Sequence, residues 1–281
     1  MDRRQFLQAL GAGAGAGALG LGPALGGCGD NAAGRFGNVT MAIQSWTFRS
    51  QTLENALTSI VRLGISRVEL SPQASHFGFP ATDQEIAAVR GRLSRHGLHC
   101  VTSGLEPVSA DHEQNRAVFE YARKLGLRTI MVDAPADALD SLDALVREYD
   151  IRIGIHNHGP GSRYSRIADV DAALAGRDPR IGCIIDTGHY TRAGEDPIAA
   201  FRHFAGRVYG VHLKDVAAAH ADAPDTILGE GVVDLAGVFA VLREIDLPGD
   251  ASLSLEYERN PDNPFDDVVV CLDNAARAAT A

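Results

Sequence analysis

From residue 39 onward the chain repeats one theme eight times: a short apolar run, a polar turn, then a helical pattern. The runs cover residues 39–44, 67–70, 99–103, 129–132, 152–156, 182–186, 208–214 and 252–257. Several are apolar nearly throughout and rich in Val and Ile, as strands covered on both faces of a parallel sheet must be. Amphipathic segments at 53–63, 83–96, 111–125, 141–149, 167–174, 197–204, 235–245 and 265–278 alternate with them. In the first of these, Leu53, Ala56, Leu57, Ile60 and Leu63 recur at helical spacing, and Gly64 can stop the helix. Pro197 suits the first turn of its helix. Eight strand–helix alternations predict an α/β fold, a (β/α)8 barrel in a single domain. A doubly wound sheet would place a glycine-rich phosphate turn after the first strand, and Gln44-Ser45-Trp46-Thr47 is no such turn.

Residues 1–28 read as an export signal and stand outside the fold. Arg3-Arg4 precedes Phe6-Leu7 and a Gly/Ala/Leu tract, an order that resembles the twin-arginine signal. The tract is poor in bulky residues and would insert weakly as a membrane span. Leu25-Gly26-Gly27-Cys28 resembles a bacterial lipobox, which makes Cys28 the lipidated first residue of the mature chain. Residues 29–38 then form a tether and 39–281 the barrel. The expectation is an exported bacterial protein, periplasmic or a membrane-anchored lipoprotein, touching the membrane only through that lipid. The twin-arginine route carries folded proteins, which suits a metal loaded before export. Cys100, Cys183 and Cys271 are single, far apart and within apolar runs, so they read as buried thiols.

Lys and Arg number 26 against 36 Asp and Glu, a formal charge of −10. A nucleic-acid partner is therefore not expected, because backbone binding needs a basic surface. A cation is not excluded. In a (β/α)8 barrel the chemistry sits at the C-terminal ends of strands. Strand five ends Ile155-His156-Asn157-His158-Gly159, and strand six Ile185-Asp186-Thr187-Gly188-His189. Strand seven ends Val211-His212-Leu213-Lys214-Asp215, and strand eight Leu255-Glu256-Tyr257-Glu258. Any one of these is unremarkable alone. Four consecutive strand ends offering imidazole or carboxylate to one mouth predict a site for one divalent metal ion. Mixed nitrogen and oxygen donors suit Mn, Zn, Fe or Co.

These segments, with Gly229-Glu230-Gly231-Val232-Val233-Asp234, Val68-Glu69-Leu70 and Ala42-Ile43-Gln44-Ser45, resemble the sugar phosphate isomerase/epimerase group of the xylose-isomerase-like TIM barrel superfamily. The resemblance covers residues 39 to 278, nearly the whole mature chain. It implies a metal held by an acidic residue on strand five, an Asp on six, a His on seven and a Glu on eight. The last three map onto Asp186, His212 and Glu256, while His156 stands where the Glu is usual. In the ketose epimerases that Glu also moves a proton, so its replacement weighs against a two-carboxylate epimerase. Relatives with His-Asn-His here exist, and many are secreted or act on oxidised glycosides. His156 would then be a neutral imidazole ligand.

The expected function is a divalent-metal-dependent sugar isomerase or epimerase that abstracts a proton beside a carbonyl and passes through an enediolate. One alternative is a lyase that eliminates the aglycone of a 3-keto-glycoside. Another is a non-catalytic sugar-binding lipoprotein, against which stand Asp186, His212 and Glu256, since buried carboxylates without a cation are costly. Apurinic endonuclease chemistry on the same barrel would need further ligands and a basic groove. Glu69, His158, Glu258 and Lys214 are the candidate proton carriers, and Glu258 shares inward parity with Glu256. His189, Trp46, Gln44 and Glu230 are candidate substrate contacts, with Arg163 and Tyr164 as further ones. Glu230 lies on the long irregular stretch 216–233, expected to loop over the barrel mouth. Lys214-Asp215 reads as a local ion pair steadying the His212 turn. No phosphate-binding glycine turn is present, so the expected substrate is a small unphosphorylated carbohydrate.

Overall fold

In the computed structural model, which describes residues 34–37 and 39–281, eight parallel strands close on themselves, each paired with its sequence neighbours and the last with the first. They are β1 Met41–Gln44, β2 Arg67–Leu70, β3 His99–Ser103, β4 Thr129–Val132, β5 Arg152–His156, β6 Ile181–Asp186, β7 Val208–Leu213 and β8 Ser252–Leu255. Five of these strands are buried at every residue, which is why their sequences are mostly apolar and carry no exposed charged face. Around them stand α1 Leu53–Arg62, α2 Asp83–Arg95, α3 His112–Leu125, α4 Leu139–Tyr149, α5 Ile167–Leu174, α6 Thr187–Arg192, α7 Pro197–His203, α8 Leu235–Glu244 and α9 Phe265–Thr280. Helix α1 buries Leu53, Ala56, Leu57 and Ile60, and the Thr52 side chain caps its first turn. A reciprocal Thr82–Glu85 capping box starts α2. Helix α3 ends at Gly126 with φ of 90°, a left-handed position that glycine adopts without penalty. Cutting a fully buried strand residue such as Ile155 to Ala would cost about 2–5 kcal/mol.

Two departures from the eightfold pattern shape the mouth. Strands β7 and β8 end at Leu213 and Leu255, so Lys214 and Glu256 stand at the rim just beyond them. The sixth strand runs directly into an extra short helix, α6, whose N-cap is Asp186: its Oδ1 accepts from the His189 amide at 2.7 Å. Six residues are too few to reveal a helical period in sequence, so this element was not foreseen.

The 216–233 stretch is more ordered than a plain loop. Asp215–Val216 pairs antiparallel with Asp225–Thr226. The Asp215 carboxylate accepts from the amides of Val216, Gly229, Gly231 and Val233 at 2.8–3.1 Å. The expected Lys214–Asp215 pair therefore does not form. Consecutive residues of an extended chain point to opposite sides, so Lys214 faces the barrel axis while Asp215 ties down the loop. Gly231 is required here, because a Cβ would sit 2.2 Å from Asp215 Oδ1.

Phe36, at the end of the segment read as a tether, is 2% exposed and packs on the core, and Arg35 pairs with Asp273 at 3.0 Å. The export signal and Cys28 lie outside the described residues. Among those residues the three cysteines are free, with Cys183 and Cys271 buried and Cys100 half-buried. No described helix is long and apolar enough to cross a membrane.

Candidate active site

Ligand atoms from His156, Asp186, His212 and Glu256 lie within 4.8 Å of one another at the C-terminal end of the barrel, and all four residues are buried. The register explains the convergence. Asp186 is paired with His212, and His212 with Ser254, two residues before Glu256. His156 Nε2 is 2.9 Å from His212 Nδ1, which is 3.2 Å from Glu256 Oε2. Asp186 Oδ2 stands 3.8 Å from His156 Nε2 and 3.9 Å from His212 Nδ1. That oxygen is buried and accepts no hydrogen bond, its charge being met by the Lys214 ammonium at 3.2 Å, and it points into the group. Two imidazoles and two carboxylates fit a four-coordinate borderline divalent ion. Asn157 fixes the two neighbouring strand ends together: its Nδ2 donates to the Asp186 carbonyl at 3.1 Å and its Oδ1 accepts the Asp186 amide at 2.8 Å. Its parity, opposite to that of the flanking histidines, was the only sequence sign of this role.

A second set of ionisable groups lies against the first. Lys214 Nζ is 2.5 Å from Glu258 Oε1, 2.7 Å from Glu256 Oε2, 3.2 Å from Asp186 Oδ2 and 3.3 Å from His189 Nε2. Its stem runs over Gly188, where a Cβ would lie 2.8 Å from Lys214 Cγ. Trp46 Nε1 donates to Glu258 Oε2 at 3.0 Å, and Arg49 holds the Glu258 carbonyl. Burial lowers the pKa of His156, His158 and His189, each further opposed by a nearby imidazole or by Lys214, so all three are held as neutral imidazoles. Burial would likewise discharge Lys214, but Asp186, Glu256 and Glu258 outweigh it and keep the ammonium well above its usual range. The same balance, reversed in sign, keeps Glu256 and Glu258 ionised. Burial would also lower His212, and the Glu69 and Glu256 carboxyls overcome it.

A cavity of about 290 Å³ opens over these groups. Its β5–β8 half presents His156, His158, His189, His212, Lys214, Glu256 and Glu258, and its β1–β4 half presents Gln44, Trp46, Ser71, Gln73, Gly104, Leu105 and Met131. Every ionisable lining group is thus on one side. A larger cavity, about 660 Å³, lies at the opposite end around Phe36, Arg67, Arg128 and Asp250, and holds none of the strand-end groups. The smaller one is where the chemistry of such a barrel belongs.

Residues 57–275 match the xylose isomerase-like TIM barrel family. This chain belongs to that family. Among its curated relatives is an inosose dehydratase of Lacticaseibacillus casei, 26% identical over 147 residues, 47% of this chain and 49% of that protein. The chain thus spans about half the length of the first curated relatives it matches. A sugar phosphate isomerase/epimerase from Parabacteroides distasonis superposes with a TM-score of 0.66 at 16% identity, covering 92% of this chain and 98% of that one. The IOLI protein, solved with a binding zinc atom, superposes with a TM-score of 0.59 at 14% identity, covering 86% and 95%. At these identities the two structures establish the shared fold.

Within this xylose isomerase-like barrel the remaining sequence candidates fall into two groups. His158, His189, Lys214, Glu258, Trp46 and Gln44 all reach the cavity. Glu69 does not: it is 0% exposed and sits behind His212, so it cannot touch a substrate as a proton carrier would. Glu230 is exposed on its loop and outside the cavity lining. Arg163 is exposed and faces Asp133, and Tyr164 is buried with its hydroxyl donating to the Ala134 carbonyl. Ser71, Gln73, Leu105 and Met131 were missed because they carry no ionisable group. The polar Ser71-Pro72-Gln73 turn directly after β2 was the available signal.

Proposed function

We propose that this protein is a divalent-metal-dependent carbon–oxygen lyase acting on a keto-sugar or keto-cyclitol. It takes a proton from the carbon beside the ketone and expels a leaving group from the next carbon. The observation that carries this reading is the one-sided placement of ionisable groups around the cavity. Epimerisation removes a proton from one face of a carbon and returns it to the other, which calls for proton carriers on both walls. The β1–β4 wall supplies none. Elimination and ketose–aldose isomerisation can both run along one face, and the dehydratase names of the curated relatives favour elimination.

His156, Asp186, His212 and Glu256 fit a divalent ion, which when bound would supply Lewis-acid polarisation of the ketone; the zinc atom of the IOLI protein supports this. His189, held neutral by burial, accepts the proton from carbon. The C–H electron pair becomes the new double bond as the C–O bond breaks, and the departing oxygen takes a proton from the Lys214 ammonium. The 3.3 Å contact between His189 Nε2 and Lys214 Nζ lets that proton be returned, closing the cycle. Glu258 holds Lys214, and Trp46, fixed by Glu258, offers its ring as one wall for the sugar. The Arg3-Arg4 signal and Cys28 support placing this chemistry outside the cytoplasm, where unphosphorylated sugars are met.

The test is proton NMR of the Co(II)- or Zn(II)-loaded protein with inososes and 3-keto-glycosides in deuterated water. Release of water or aglycone with a new vinylic signal supports the lyase. Deuterium incorporation without loss of the leaving group supports the isomerase, the second reading that one-sided geometry allows. Inversion at the exchanged carbon would overturn the one-face argument. Binding of these sugars without turnover or exchange would leave a carbohydrate-binding lipoprotein.

A further inference from the structure

We infer that Glu69 is a positioning residue that makes Nδ1 of His212 the metal-binding nitrogen, an inference that rests on the metal reading above. The polarity of the hydrogen bonds can be followed along a chain. The Trp46 amide donates to Gln44 Oε1 at 3.1 Å, which orients the Gln44 amide and turns its Nε2 to Glu69. Gln44 Nε2 donates to Glu69 Oε1 at 2.8 Å, so that oxygen is an acceptor. Ser254 Oγ donates to Glu69 Oε2 at 2.8 Å. His212 Nε2 lies 2.7 Å from the same Oε1, and facing an acceptor it must carry the ring proton. In the neutral form that a metal ligand must take, the lone pair of His212 is thereby left on Nδ1, on the side where His156 Nε2, Glu256 Oε2 and Asp186 Oδ2 stand.

The backbone is arranged for this contact. The β2–β3 ladder slips by one residue at Glu69: Val68 is opposite Cys100, whereas Glu69 is opposite Thr102. Such irregularities re-aim side chains near sites. Glu69 is fully buried and absent from the cavity lining, so it acts through His212. A carboxyl on the second nitrogen of a metal-bound imidazole fixes the ring and raises its basicity.

The decisive substitution is Glu69→Gln. It is isosteric, and its amide can still accept from Gln44 and His212 through Oε1 while donating to Ser254 Oγ, so the fold is retained. Co(II) and Zn(II) affinities are measured by titration alongside thermal unfolding of the metal-free proteins. The expected result is about 10–100-fold weaker metal binding at little change in metal-free melting temperature. Ser254→Ala, which removes one support of Glu69 without touching His212, is expected to give a smaller loss. Independently of any variant, long-range proton–nitrogen spectra of the Zn(II)-loaded protein are expected to show His212 protonated at Nε2. Wild-type affinity in Glu69→Gln, or a proton on Nδ1, would overturn this assignment alone. Failure of the wild-type protein to take up either ion would overturn the metal reading and this inference with it.

Discussion

Replacing Lys214 by Met removes a cation that three carboxylates share. The side chain is 2% exposed, and its ammonium lies 2.5, 2.7 and 3.2 Å from Glu258, Glu256 and Asp186. At those separations each pair attracts by about 5–7 kcal/mol for an effective dielectric of about 20. Desolvation of a buried ammonium offsets most of that sum, and removing one partner of such an arrangement costs about 3–5 kcal/mol, because the carboxylates are left uncompensated. In a chain of this size about 1 kcal/mol moves the melting temperature by about 2–4 °C, so the metal-free variant should melt about 6–20 °C below wild type. A divalent ion would resupply the missing charge. Saturating Co(II) or Zn(II) should therefore raise the variant's melting temperature by more than it raises that of wild type. The assay is thermal unfolding followed by fluorescence, in chelator and in metal. A drop under about 2 °C in chelator, or equal metal-induced rises in both proteins, would show that Lys214 does not compensate these carboxylates.

Elemental analysis should find about one Mn, Zn, Fe or Co per chain in wild type and none in purified Asp186→Ala, since the variant loses the buried acceptor Oδ2; equal metal content would remove Asp186 from the ligand set. Glu106 gives a pH prediction: burial raises its carboxyl pKa despite bonds from Ser103 Oγ and the Phe79 amide. Because its folded value lies above the unfolded one, its stability contribution is complete below the unfolded carboxylate pKa and is lost as pH rises through the folded value. Glu106→Gln should therefore gain stability relative to wild type as pH is raised above the ordinary carboxylate range in urea unfolding, and a pH-independent difference would contradict the assignment. Gly231→Ala would drive a Cβ to within 2.3 Å of both Asp215 Oδ1 and the Val216 carbonyl, so the loop after β7 should become sensitive to limited proteolysis while the barrel stays folded. Cys28→Ser should move the protein from the membrane fraction to the soluble exported fraction, and an unchanged distribution would argue against a lipid anchor.

The barrel and its business end were legible in the sequence, for reasons that are local. Strands buried on both faces must be apolar along their length, and the period-two geometry of a strand puts His156 and His158, His212 and Lys214, and Glu256 and Glu258 on matched parity. Four successive strand ends with such residues can only meet at one mouth once the sheet closes. What the sequence could not supply is which side chains meet across that closed sheet. Glu69 looked like one more acid at a strand end, and only the closed barrel, with Gln44 level with Glu69 and Ser254 level with His212, puts it behind His212 with Gln44 and Ser254. Lys214 was read as the partner of its neighbour Asp215, yet an extended backbone sends the two apart, one to the metal ligands and one to four loop amides. The helix that lifts His189 over Asp186 is too short to leave a periodic signature. The division of the cavity into an ionisable half and an uncharged half exists only after closure brings β8 back to β1. Local periodicity fixes which way a side chain points along its own strand; the register and closure of the barrel decide what it meets.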